Sequence, residues 1–233
     1  MPQTHALLFR DLAARIYRAD EPTQIYRAIV DAATDIVDGC DHASLMIVSS
    51  GAVRTAAASD EIAQLVDDYE KASGEGPCLD AITDELPHLD TDIETDSAWP
   101  RLSAHVVEQT PVRGMLGFRL LVDGRKAGAL NVFSDTPGAL TERSIDQATV
   151  LAAFASVALM AGSARQQATD LQTALHSNRE IGKAVGLLMA AHKVPQERAF
   201  EILDRTSQEL NIKLAEVAKR VVQGQEQQFR RGS

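Results

Sequence analysis

Two sets of residues in the last quarter of the chain have the types and spacing to hold an anion. Arg179 and Lys183 lie four apart, which puts both on one helical face. That face differs from the one carrying Ile181, Val185 and Leu188, so the cations turn to solvent. Further on, Arg205, Gln208, Asn211 and Lys213 cluster about a turn. Arginine and lysine hold phosphate, while glutamine and asparagine bond base edges. By residue type alone this second cluster reads first as a solvated polar face.

Other chemistries find less support. Cys78 follows Pro77 in a loop where it can be exposed, and Cys40 follows a helix stop. Free cysteines mostly behave as inert small hydrophobes unless their surroundings lower the thiol pKa. His42, His88, His105 and His176 are scattered, without the spacing of a zinc site. Asp90, Asp92, Glu94 and Asp96 alternate in a loop, but the glycine and terminal glutamate of a calcium loop are missing. No Ser–His–Asp or paired-carboxylate arrangement can be placed. The expectation is a protein that is not an enzyme, with no metal and no cofactor.

Helices must position these residues. Residues 178–222 read as three short amphipathic helices. Ile181, Ala184, Val185 and Leu188 hold the i, i+3, i+4, i+7 spacing. Ala199, Phe200 and Leu203 make a second stripe, and Leu214, Val217, Ala218 and Val221 a third. Pro195 fits the first turn of the middle helix, and Asn211 ends that helix or caps the next. Connections of about 2–5 residues force a compact bundle. Upstream, a helix capped by Thr141 is expected to run to about His176. Along it Val150, Phe154, Val157, Ala161, Ala164, Ala168, Leu171 and Leu175 alternate at spacings of four and three. This heptad seam is longer than one small domain can cover and predicts a helical dimer.

The rest of the chain alternates helices and strands. Helices are expected over 5–19, with Leu8, Leu12 and Ile16 in line, and over 22–37. The second buries Ile25, Ile29, Ala32 or Ala33, and Ile36, and stops at Asp38-Gly39. Strands over 43–48 and 53–57 flank a turn at Ser50-Gly51. A helix over 60–71, capped by Ser59 or Asp60, leads to the loop SGEGPCLDAI (73–82) and a short helix. An edge strand over 86–89, a helix from Trp99-Pro100 to 109, and a hairpin of 114–122 with 126–133 about Asp123-Gly124 follow. The fold class is α+β: an antiparallel sheet flanked by helices, then a long helical stalk and an all-α three-helix bundle. The domains are an N-terminal helix (1–21), a sheet domain (22–165), a connecting helix (141–176) overlapping its end, and the bundle (172–226).

Charge is unevenly spread. Residues 176–233 hold ten basic and seven acidic side chains, net +3, whereas residues 1–175 hold 13 and 26, net −13. Asymmetry of this kind hints that the C-terminal part meets a polyanion, although +3 is also ordinary for a small bundle. Two cysteines argue against a disulfide-stapled secreted scaffold. The first residues carry charges where a signal peptide needs an apolar core. The longest uncharged run, 147–164, is interrupted by glutamine and serine and falls below about 18 strongly apolar residues. A soluble, cytoplasmic protein with no membrane partner is expected.

The C-terminal stretch resembles the ANTAR domain, the RNA-binding module of transcription antitermination. The residues that carry this are Ile181-Gly182, Ala184, Gly186-Leu187-Leu188-Met189, Ala199-Phe200, Leu203, Ser207-Gln208, Asn211, Leu214 and Val217-Ala218. Residues 22–165 resemble a GAF domain through GEGPCLDAI (74–82), Trp99-Pro100, the 114–122 strand and Gly128-Ala129-Leu130-Asn131-Val132-Phe133. The combination is similar to the GAF–ANTAR regulators of actinobacteria. The resemblance implies a sensor half open to a small-molecule ligand, a homodimer paired through the long helix, and a tip that binds RNA stem-loops in nascent transcripts. It gives the RNA role to Arg179, Lys183, Gly186, Arg205, Gln208, Asn211 and Lys213. Two glycines in one helix, Gly182 and Gly186, cost about 1 kcal/mol each against alanine. A close approach, to RNA or to a neighbouring helix, compensates for that. The sequence departs from the family pattern at Val185, where relatives often carry a basic residue, and at Asp204, where they carry arginine. A carboxylate beside phosphate repels it. Two other readings stay open: a tip that contacts a protein partner, and a GAF-type redox protein that uses Cys40 and Cys78.

Overall fold

The computed structural model describes residues 2–231 except Ser50, Glu85, Asp96 and Asp123. Ser50 and Asp123 of the two expected turns, and Asp96 of the acidic loop, therefore lie outside the described residues. In chain order the elements are α1 (Pro2–Arg18), α2 (Pro22–Ile36), β1 (His42–Ser49), β2 (Ala52–Ala58), α3 (Glu61–Ser73), α4 (Pro77–Thr83) and β3 (His88–Asp90). Then come α5 (Pro100–Gln109), β4 (Gly114–Val122), β5 (Arg125–Ser134), α6 (Glu142–His192), α7 (Gln196–Leu210) and α8 (Leu214–Arg231). Two compact units divide the chain, Met1–Ser163 and Ala164–Ser233, and α6 contributes to both.

The first unit is an antiparallel sheet in the order β2-β1-β5-β4-β3, covered by helices on both faces. Alternation along the strands decides which residue meets which layer. On β5, Leu130 and Val132 join Leu45 of β1 and Leu116 and Leu120 of β4 against one helical layer. That layer is Ile25, Ile29, Ala33 and Ile36 of α2 with Ala148, Leu151 and Ala155 of α6. On the opposite face Met115 and Phe133 pack on Val66 of α3, on Trp99 just before α5, and on Leu102 and Val106 of α5. Val132 and Phe133 are therefore both core residues, on opposite faces. Burial on both faces explains why β4 and β5 read as nearly continuous apolar runs. By length and composition α6 could cross a membrane, but its apolar residues Ala148, Leu151, Ala152, Ala155 and Leu159 belong to the sheet core.

The second unit is the end of α6 with α7 and α8. Ala184 and Val185 of α6, Ala199 and Leu203 of α7, and Val217, Ala218 and Val222 of α8 form its core.

Four expectations change. The first of the three short helices is not separate, because α6 runs 51 residues without a break at 176–178. His176-Ser177-Asn178 contains no glycine or proline to stop it, and the helix ends only at Lys193, which adopts φ +52°. Pro195 is the N-cap of α7 with extended ψ 166°, so it precedes the first turn instead of lying in it. Phe200 lies outside the core at 43% exposure, since it stands about 100° round the helix from Ala199. The edge strand starts at His88, after Pro87, whose missing N–H cannot pair with β4.

One polar clamp ties β1 to α3 and to the loop after β5. Asp60 caps α3 by accepting the Ala63 N–H at 2.9 Å. His42 Nδ1 lies 2.7 Å from the other Asp60 oxygen, and its Nε2 lies 3.2 Å from Asp135. Burial disfavours the charged ring, but the bonds and charges of Asp60 and Asp135 outweigh it and raise the His42 pKa. Burial likewise opposes ionised Asp60, yet His42, Ala63 and Ser59 hold its carboxyl below the ordinary value. A raised folded-state pKa contributes stability that is complete below about pH 6.5 and lost as pH rises through the folded value. The melting temperature should therefore fall between about pH 6 and 8.5. The His42→Asn variant should melt lower at about pH 6 and lose less across the range. A variant slope equal to that of the wild type would contradict the clamp.

Candidate nucleic-acid interface and a buried carboxylate cell

The bundle core fixes which residues of α6 face outward. Ala184 and Val185 are buried, with Ile181 and Leu188 partly so. At about 100° per residue this leaves Arg179, Lys183 and Gly186 on the far side, and all three are exposed. Lys183 Nζ bonds Glu180 Oε1 at 2.7 Å with its side chain 46% exposed, and that bond lowers the Glu180 pKa. Val185 sits in the bundle core at 8% exposure, so its apolar character serves packing. A Cβ added at Gly182 or Gly186 would meet nothing within 4 Å. The helix therefore needs neither glycine for contacts with the described residues.

The second set gathers at the end of α7. Asn211 is its C-cap in the left-handed conformation, φ 52°, and its N–H bonds the Gln208 and Ser207 carbonyls. The Ser207 hydroxyl donates to Ile212 O at 2.6 Å, closing the turn. Asn211 thus has a structural role of the kind asparagine fills in place of glycine. Gln208 donates to Asp204 at 2.8 Å, one turn back, so the acid at 204 is held by a neutral amide. Arg205 is 67% exposed and lies 4.0 Å from Glu209. Lys213 is exposed just before α8, and its carbonyl accepts the Glu216 and Val217 N–H groups.

On α6 the heptad seam splits by position. Val150, Val157, Leu171 and Leu175 are exposed by 56–61%, and Ala161, Ala164 and Ala168 are exposed too. Phe154 is the exception: it packs edge-on against Phe9 of α1, ring centroids 6.0 Å apart.

A polar cell that no sequence motif announces lies between the sheet and α3, α4 and α5. Asp67 and Glu70, one turn apart on α3, are both fully buried. Asp67 accepts from Ser44 Oγ of β1 at 2.7 Å, Thr55 Oγ1 of β2 at 2.8 Å and Asn131 Nδ2 of β5 at 3.3 Å. Burial pushes its pKa up to about 6 against those bonds and the Lys71 charge. Glu70 Oε1 accepts the N–H groups of Cys78 at 2.7 Å and Leu79 at 3.1 Å, which open α4. Burial, with the Asp67 and Asp80 charges, raises Glu70 to about 8 against those two bonds. Its Oε2 is buried without a partner among the described residues.

The cell explains the SGEGPC run and its distant Trp-Pro. Gly74 ends α3 in the left-handed region, φ 69°. Glu75 accepts the N–H groups of Arg101 and Leu102, which start α5, and pairs with the Arg101 guanidinium at 3.1 Å. Gly76, φ 155°, leaves room for the Glu70 carboxyl that a Cβ would strike. Pro77 rests over Gly117 of β4, where a Cβ would come within 2.5 Å of the Pro77 carbonyl. Trp99 Nε1 donates to Asp80 at 2.7 Å. Cys78 is buried rather than exposed, and burial raises its thiol pKa well above the ordinary value. Cys40 is pushed up to about 12, by burial and the Asp41 charge. Neither thiol has the depressed pKa that thiolate chemistry needs.

The open space around Gly182 has a consequence for stability. Gly182→Ala should stabilise the second unit by about 0.5–1 kcal/mol, read from the urea midpoint of its unfolding. A destabilised variant would show that a hidden contact occupies that face.

Comparisons with known proteins agree with this architecture. The GAF domain model matches residues 19–160 and the ANTAR domain model residues 169–222. No curated protein matches the chain. Among solved structures, the chain is similar to the GAF domain of a phosphoenolpyruvate-protein phosphotransferase from Coxiella burnetii, at 16% identity and TM-score 0.54, covering 71% of this chain and 98% of that one. It is also similar to the free methionine-R-sulfoxide reductase from Neisseria meningitidis, solved with its substrate, at 13% identity and TM-score 0.53, covering 69% and 91%. Identities this low show the fold alone. With a GAF model over more than half of its length and an ANTAR model directly after it, the chain belongs to the GAF domain family and is a GAF–ANTAR regulator.

Proposed function

We propose that this chain is a cytoplasmic RNA-binding antitermination regulator that works as a homodimer. In this reading the GAF domain senses a small molecule, and the ANTAR domain binds stem-loops of nascent transcripts. It is a regulator and not an enzyme. The observation that carries the reading is the outward face of α6, where Arg179 and Lys183 flank backbone left uncovered at Gly182 and Gly186. Cations beside bare backbone suit an RNA loop, whose phosphates need charge and whose splayed bases need close approach. Arg205 and Lys213 add charge, and Gln208 and Asn211 offer amides.

The double variant Arg179→Glu plus Lys183→Glu should lower affinity for a two-hairpin RNA by at least about tenfold. It should also flatten the dependence of log affinity on log salt by about 0.7 for each single-strand phosphate that the variant no longer neutralises. Unchanged binding in a gel-shift titration would remove these residues from the interface.

The dimer reading rests on the exposed apolar residues of α6, Val150 and Val157 in the first unit and Leu171 and Leu175 in the second. With Phe154, Ala161, Ala164 and Ala168 they hold the four-and-three spacing of a helix pairing with a copy of itself. Sedimentation of the wild type should give a dimer mass, and Leu171→Glu with Leu175→Glu should shift it toward monomer. A wild type that sediments as a monomer at micromolar concentration would contradict pairing.

A second reading, that the tip meets a protein, draws on exposed Phe200 amid Glu197, Glu201 and Asp204. Binding that hardly changes with salt would favour it.

A further inference from the structure

We propose that Glu70 is a proton-controlled latch: with its carboxyl neutral it holds the 74–79 segment closed over the sheet, and loss of the proton lets that segment open and exposes Cys78. The geometry gives the latch its parts. Glu70 Oε1 is bonded by the Cys78 and Leu79 N–H groups, the contacts that fix the start of α4. Oε2 is fully buried and receives no hydrogen bond from any described residue. With Oε1 engaged, the proton of a neutral carboxyl sits on Oε2, where its O–H lacks an acceptor, a smaller cost than an unsolvated charge on the same buried atom. The groups around it make charge there costly. Asp67 lies one turn back on α3, and Asp80 and Cys78 face it from α4. Lys71, the next residue on α3, acts on Asp67 and pairs with Asp68 at 2.7 Å. On α5, which packs against α3, Arg101 is engaged by Glu75 and His105 stacks on Tyr69 at 5.4 Å. Ser44, Thr55 and Asn131 of the strands bond Asp67.

Water can solvate the carboxylate only if the covering segment moves. That segment is bounded by Gly74 at φ 69° and contains Gly76 at φ 155°, conformations in which side chains are strained and glycine is not. Glu70 titrates near 8 in the closed state. A hydrated, open-state glutamate titrates near its ordinary value of about 4.3. An acid raised in the closed state stabilises that state fully at low pH and progressively less as pH rises toward 8. Between these values the closed form carries one proton more than the open form, so the open fraction rises about tenfold per pH unit. Asp67, raised to about 6, contributes mainly below that value. The device concerns the GAF domain alone and does not depend on RNA binding.

The test uses the full chain with Cys40→Ser, so that iodoacetamide reports on Cys78 alone. The thiol itself contributes about tenfold in rate per pH unit below its open-state pKa of about 8.5. Between pH 6.5 and 7.5 the alkylation rate should therefore rise about 100-fold per unit with Glu70, and about tenfold per unit in Glu70→Gln. Equal slopes in the two proteins would overturn the latch, and so would a rate that grows with urea as steeply as global unfolding does. Should Glu70→Gln not fold, hydrogen exchange of the wild type decides. Between pH 6.5 and 7.5 the Cys78 and Leu79 amides should then exchange about 100-fold faster per pH unit without urea dependence, about tenfold from hydroxide catalysis and about tenfold from opening, and a slope of only about tenfold overturns the proposal.

Discussion

The structure depends on one helix having to be apolar on two sides for two different reasons. Around residues 148–159, α6 buries Ala148, Leu151, Ala155 and Leu159 against the sheet. On the opposite side Val150 and Val157 face solvent. Farther along, the same helix supplies Ala184 and Val185 to the bundle core and turns Arg179 and Lys183 outward. A helix of 51 residues is stable only where packing covers it, since propensity alone leaves long exposed stretches marginal. The stretch from Ala164 to His176 is exposed on every side, which is the physical case for a second helix beside it.

Within the first unit, the dominant constraint is the cost of starting two helices on the face of a sheet. Their first N–H groups must find acceptors away from water. Glu70 supplies one for α4 and Glu75 supplies one for α5, across gaps of 8 and 26 residues respectively. Asp80 meets the Trp99 indole in the same region. The loop 73–82, together with Glu70 of α3, is therefore a set of acids and glycines that joins three helices, and it leaves Cys78 buried. A carboxyl placed so deeply carries a permanent sensitivity to its own charge.

The order of elements and the run of β4 and β5 are legible in local pattern, because both faces of those strands are buried and the turns are short. The α2 face of Ile25, Ile29, Ala33 and Ile36 is legible for the same reason. The carboxylate cell is not, although one signal exists. Ala63, Val66, Asp67 and Glu70 hold the i, i+3, i+4, i+7 spacing of a buried stripe, with two acids in apolar positions. The partners of Asp67 lie on three strands and those of Glu70 at the start of α4, and no local spacing reveals them. Phe200 falls outside the stripe assigned to it because Ala199 and Leu203, four apart, set the inward face of α7 and Phe200 stands about 100° away from Ala199. The missing break at 176–178 reflects a helix that ends where a residue can turn left-handed, at Lys193, and not where the family resemblance begins a domain.

Everything proposed for the tip turns on whether it reads RNA. Ultraviolet crosslinking of the full chain to RNA in its own cells, followed by sequencing of what is bound, is the most direct measurement. We expect enriched transcripts carrying stem-loops beside terminators, with crosslinks on peptides from the 179–186 and 205–213 segments. Recovery of no RNA above an uncrosslinked control would contradict RNA reading by the tip.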